Sequence, residues 1–162
     1  MRLPEAIIAA CVVGAVVVLA GCGASYGGPP VIAIGTGPDS FVPLADGDAI
    51  PIVHGTQGGY HVWGSIRARE VDPHGLALRF TLVIDGDAAM GTAPLSVTVR
   101  DDRVDLDLAG SGSDAIGTHA GTVVFLPDPA AVRGRSCLFH IEATDAGGRH
   151  GSDEKRVVPL GP

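Results

Sequence analysis

The chain is predicted to be all-β and built as two packed sheets, and three observations carry that expectation. Apolar and polar residues alternate with a period of two through several runs, which is the signature of half-buried strands. Turn-forming pairs such as Asp46-Gly47, Gly58-Gly59, Asp85-Gly86 and Gly147-Gly148 separate those runs at short intervals. Glycine (24 residues) and proline (12 residues) are plentiful, while long stretches at helical spacing are absent.

In chain order, residues 22–40 are mostly small, with Gly27-Gly28-Pro29-Pro30 at their centre, and can bury little area. They read as a flexible tether, the alternative being that Val31 to Ile34 form a first strand. The clearest strand follows Pro73-His74-Gly75. Leu76, Leu78, Phe80, Leu82 and Ile84 share one face, and Ala77, Arg79, Thr81 and Val83 the other. Leu95, Val97 and Val99, then Val104, Leu106 and Leu108, alternate with polar residues on either side of Asp101-Asp102, which predicts a hairpin with a tight turn at the two aspartates. Residues 122–126, 137–143 and 155–160 supply three more strands, the last two joined through 145–149. This pattern predicts a two-sheet immunoglobulin-like sandwich over 41–162. The paired cysteines around a core tryptophan that mark true immunoglobulin domains are missing, so the likeness is one of architecture.

Ahead of the tether, Arg2 precedes an unbroken run of small and apolar residues over 6–20, in the length range of a secretory signal. The run is short for a membrane span of about 20 residues, which it reaches only by extension through Gly21, Cys22, Gly23 and Ala24. It ends in Leu19-Ala20-Gly21-Cys22, which resembles the lipobox of bacterial lipoprotein precursors. The resemblance implies a signal peptide over 1–21, cleavage before Cys22, a covalent lipid such as palmitate on Cys22, and a membrane anchor in the cell envelope. Gly23 in place of an aspartate favours, by the same resemblance, the outer over the inner membrane. The stretch 57–63 and the closing stretch around Asp145 are also similar in style to uncharacterised bacterial surface lipoproteins of this size, a likeness that implies no activity.

Charge and cysteine usage narrow the function further. With Cys11 in the signal peptide and Cys22 acylated, Cys137 has no disulfide partner, and its alternation with Phe139 and Ile141 predicts a buried thiol. A formal charge of −7 with scattered arginines offers no basic track for nucleic acid.

The densest cluster of unusual residues is 57–63. On a straight strand, His61, Trp63, Ser65, Arg67 and Arg69 line the face opposite Tyr60, Val62, Ile66 and Ala68. His61, Trp63, Arg67 and Arg69 then form a candidate binding face, since Trp and Arg are frequent interface anchors. Alternatively Gly64 carries a β-bulge, parity reverses, and Trp63 turns into the core. All six histidines lie beyond Cys22, but none has ligand spacing, so a zinc or copper site requires His54, His61 or His140 to converge through folding. Asp46-Gly47-Asp48 and Asp85-Gly86-Asp87 are read as turns before calcium loops. Ser111 and Ser113, with His119 nearby, sit in a Gly-Ser loop that is not a nucleophile elbow. No catalytic motif and no cofactor fingerprint is present. The expectation is a non-enzymatic, lipid-anchored binding or scaffolding module with an unidentified envelope partner. A periplasmic metal-binding protein is the alternative, and a hydrolase without a recognisable motif comes third.

Overall fold

A computed structural model describes residues 26–84, 95–111 and 114–161. Their elements in order are β1 (Val31–Thr36), β2 (Val42–Pro43), β3 (Asp48–Pro51), β4 (Val53–His54), β5 (Tyr60–Arg69) and β6 (Leu76–Ile84). There follow β7 (Leu95–Val104), β8 (Asp107–Ala109), β9 (Ile116–Leu126), α1 (Pro129–Val132), β10 (Cys137–Thr144) and β11 (His150–Leu160). One sheet runs β2-β1-β5-β9-β8, with β4 on β5 as well, and the other runs β3-β11-β10-β6-β7. Among the described residues only β3 pairs in parallel, along β11. The order β1-β5-β9-β8 against β11-β10-β6-β7 is the A-B-E-D and G-F-C-C′ arrangement of immunoglobulin-like sandwiches.

The alternation seen in the sequence places the core. Ile34, Val62, Ile66, Val124 and Leu126 point inward from the first sheet, and Leu78, Phe80, Leu82, Phe139 and Ile141 from the second. Cys137 is fully buried among them, its Sγ donating to the Arg135 carbonyl at 3.5 Å. Where an immunoglobulin domain has its disulfide and tryptophan, Phe80 and Phe139 pack with centroids 5.8 Å apart. Gly64 completes this arrangement, because a Cβ there would lie 2.8 Å from Phe80 Cδ1 and Cε1. The backbone of β5 therefore comes down onto the ring.

Four sequence expectations are corrected. The sandwich begins at Val31, so β1 lies inside the stretch 22–40 read as a tether, and the alternative first strand is what forms. The chain is held even earlier, where the Arg149 guanidinium lies 4.8 Å from the Tyr26 ring centroid and Gly28 N donates to Glu70 at 3.3 Å. Small residues there gain their burial from the opposite sheet: a Cβ on Gly151 would meet Ile32 at 2.8 Å. The predicted turn at Asp101-Asp102 does not form. β7 continues to Val104 through a bulge at Arg103, whose φ is 67°, and the chain then crosses sheets so that β8 pairs with β9. Val104 and Leu106 stay buried as the alternation requires, but Leu108 emerges 54 % exposed.

The third correction concerns Gly64, which carries no bulge of its own. Gly64 pairs with Thr122 and Ile66 with His119, so the extra residue lies on β9, where Gly121 adopts φ 88°. Parity along β5 is kept, and Trp63 stays on the outward face. Finally, β11 starts at His150, well before residue 155. Its inward positions there are Gly151 and Asp153, which meet β1 and so show no apolar alternation. Asp153 accepts from Ile34 N at 2.9 Å and from Lys155 Nζ at 2.7 Å, stitching the two sheets together. Burial pushes its carboxyl up, but hydrogen bonds from Lys155, Ile34 and Glu154 outweigh this and hold it below the ordinary aspartate value.

No helix among the described residues is long and apolar enough to cross a membrane.

Candidate functional site

The upper half of β5 has β4 on one side and β9 on the other, with His61 opposite both Val53 and Phe125, and Trp63 opposite Val123. Residues 55–59 close the β4–β5 hairpin. Gly58 and Gly59 both take φ 85°, and the loop bonds to itself through Gly55 N to Gly59 O and Gly58 N to Gly55 O, each 3.0 Å. Gly59 is required for a second reason, since a Cβ there would lie 2.6 Å from Phe125 Cε2. The loop thus folds down beside the Phe125 ring.

A cleft of about 390 Å³ results, walled by Trp63, Val123 and Phe125 and rimmed by His54, Thr56 and Gln57. Val123 (45 %) and Phe125 (49 %) are apolar yet widely exposed. Among the described residues no Asp, Glu, Lys or Arg lines it. His61 forms part of the wall, with Gly55 beside its Nδ1 and Trp63 edge-on at a centroid distance of 4.5 Å. It is only 7 % exposed, and its enclosed Nε2 has no hydrogen-bond partner. Burial lowers its pKa below the ordinary 6.5, so the ring is neutral at pH 7. Among the described residues, the side chains of His54, Thr56, Gln57 and Trp63 also make no hydrogen bond. His54, Thr56 and Gln57 are exposed on the rim, with Trp63 half-buried below them.

The expected outward stripe is divided in two. His61 and Trp63 enter the cleft. Ser65 is buried beneath the β1–β2 loop, its hydroxyl donating to Gly37 O at 3.0 Å. Arg67 lies over the Phe41 ring at 4.4 Å, a stack that Gly35 permits, because a Cβ there would come within 2.5 Å of Phe41 Cε2. Arg69 is exposed at the far end, opposite Val31. Val123, Phe125, Gly55 and Thr56 are the members that sequence reasoning missed, while Gln57, Gly58 and Gly59 belong to the cluster 57–63 it singled out. The signal for Val123 and Phe125 was present in 122–126, where both alternating faces are apolar although only one can meet the core.

Of the three candidate histidines, His54 and His61 meet at the cleft and His140 does not. His54 pairs with Tyr60 at a ring distance of 5.0 Å, while His140 projects from the outer face of the other sheet, opposite Thr81 and Glu154. Among the described residues no three His, Cys, Asp or Glu side chains form a group able to hold a metal. Asp46-Gly47-Asp48 is a turn whose carboxylates accept from Arg156 N and Ala45 N. Cys22 with the lipobox, Asp85-Gly86-Asp87 and Ser113 lie outside the described residues.

Compared with known proteins, the chain matches no family model and no curated sequence.

Proposed function

We propose that this protein is a lipid-anchored component of a bacterial cell envelope that acts without catalysis, as a binding module whose recognition site is the cleft around Trp63. The observation that carries the reading is the combination of exposed aromatic wall and unused uncharged polar groups in one concavity. The lipobox supplies the anchor, and Gly23 favours the outer membrane. Only Gly23, Ala24 and Ser25 separate Cys22 from Tyr26, so about 14 Å of extended chain is the longest reach between the lipid and the pinned start of the domain. The cleft sits at the other end. His61 precedes Arg69, the partner of Val31, by about 27 Å along β5 at the rise of an antiparallel strand. An anchored domain therefore holds the cleft away from the headgroups.

Substituting Cys22→Ala and fractionating cells grown with labelled palmitate tests the anchor. Label and membrane association should disappear together, and an unchanged membrane fraction refutes it. The binding site is tested by acrylamide quenching of Trp63, the single tryptophan of the chain. Ready quenching is expected, whereas emission that acrylamide cannot reach would remove the cleft as a recognition site.

A further inference from the structure

We propose that the cleft binds an uncharged oligosaccharide, an inference that rests on the binding-module reading and names its ligand class. Charge comes first. Among the described residues the lining carries no Asp, Glu, Lys or Arg, while the chain as a whole is at −7. A polyanion would find no counter-charge in the cleft and repulsion around it. A cation would find no carboxylate in the described lining either, which leaves a neutral ligand.

Polarity narrows the class. A purely apolar ligand would cover Trp63 and Phe125 but strand the imidazole, hydroxyl, carboxamide and indole N–H groups beside them, and buried polar groups without partners weaken a complex. A sugar ring presents a C–H face to an aromatic wall and hydroxyls around its edge. Each hydroxyl both donates and accepts, which suits a neutral imidazole and a carboxamide equally. His61 fits this best. The ring nitrogen beside Gly55 is Nδ1, and this is the one a ligand group would meet, since Nε2 is enclosed beneath the cleft.

Along β5 the backbone gives an extended peptide no edge. A peptide strand needs a free sheet edge for its amides, and the cleft lies over a sheet face. There β5 is paired on both sides and the loop 55–59 bonds internally. Among the described residues the unpaired edges near it are the outer sides of β4 and of β9 over 122–126, beyond the reach of β8, so a peptide stands beside the sugars in the test.

The test uses the full-length chain in a nonionic detergent free of sugar headgroups, with Trp63 emission as the readout. Chitotetraose, cellotetraose and maltotetraose are the neutral probes, and a neutral proline-rich peptide is the control. At least one oligosaccharide should shift the emission saturably, more tightly than its disaccharide and independently of salt. Phe125→Ala, at an exposed position whose fold is checked by circular dichroism, should weaken that binding on the order of tenfold by calorimetry. Silence of all three sugars up to about 10 mM, beyond millimolar affinity, or a response to the peptide alone, overturns the proposal. Acrylamide separates the two failures. If the sugars are silent while Trp63 is readily quenched, the ligand class falls and the open cleft stands; if Trp63 is shielded, both fall.

Discussion

Two buried polar side chains, one at each end of the sandwich, are treated in opposite ways. Asp145, 5 % exposed, accepts from the amides of Arg149 and Asp72 at 2.9 and 3.2 Å and from the Arg149 guanidinium at 2.7 Å. His61, 7 % exposed, has no partner for its enclosed nitrogen. The Asp145 cluster ties the β10–β11 turn to the end of β5 and, through Arg149, to Tyr26. It holds the fold where the chain enters. An unpaired buried polar group such as His61 costs about 1–3 kcal/mol, and it stands beside the exposed aromatic wall. The first arrangement serves the domain itself, and the second leaves a ring nitrogen unpaired beneath the cleft.

Truncating each residue should expose the contrast, beginning with the largest effect. Asp145→Ala removes the buried partner of an ion pair whose arginine is 31 % exposed and leaves two amides without their acceptor, so chemical denaturation should show a loss of about 2–4 kcal/mol. A loss under about 1 kcal/mol would mean that the cluster does not hold that end together. Gly64→Ala forces a methyl against Phe80 and should destabilise by about 1–3 kcal/mol in the same measurement. Equal stability would show that β5 can lift off the Phe80–Phe139 pair. His61→Phe should go the other way, neutral or stabilising by up to about 1 kcal/mol, because it replaces an unpaired polar ring with an apolar one of similar shape. A clear loss of stability would reveal a partner for the imidazole and break the comparison. Val123→Ser, on the cleft wall, should move stability by no more than about 0.5 kcal/mol.

Acid should separate the two ends by pH. His61 has a pKa below its unfolded value near 6.5, so the unfolded chain takes up the proton first and stability declines as pH falls from 6.5 toward the depressed folded value. Burial pushes Asp145 up, but the amides of Arg149 and Asp72 and the guanidinium outweigh it, leaving the carboxyl below 3.8. Its contribution is therefore present above pH 3.8 and is lost only as pH drops through the lower folded value. Melting curves against pH should show the upper decline vanish in His61→Phe and the lower one persist. Retention of the upper decline would assign it to another group.

Much of the fold was legible because strand alternation is a local property. Leu76 to Ile84 declared their faces outright, and the inward positions of 137–143 are buried as their spacing required. The candidate site was half legible. His61 and Trp63 stood out by residue type, but Arg67 was withdrawn onto Phe41, and Phe125 looked like one more apolar strand residue.

The sequence alone determined that alternating runs and glycine turns would make an all-β sandwich, since side-chain direction in a strand follows from the backbone of its immediate neighbours. Only the tertiary structure decided which strands met, that the bulge fell on β9 at Gly121 instead of at Gly64, and that Phe125 and the loop 55–59 closed around Trp63 and His61. Those outcomes depend on register between segments far apart in the chain. Register is fixed by how two whole faces pack, here by Phe80 pressing on Gly64, and no local pattern carries that information.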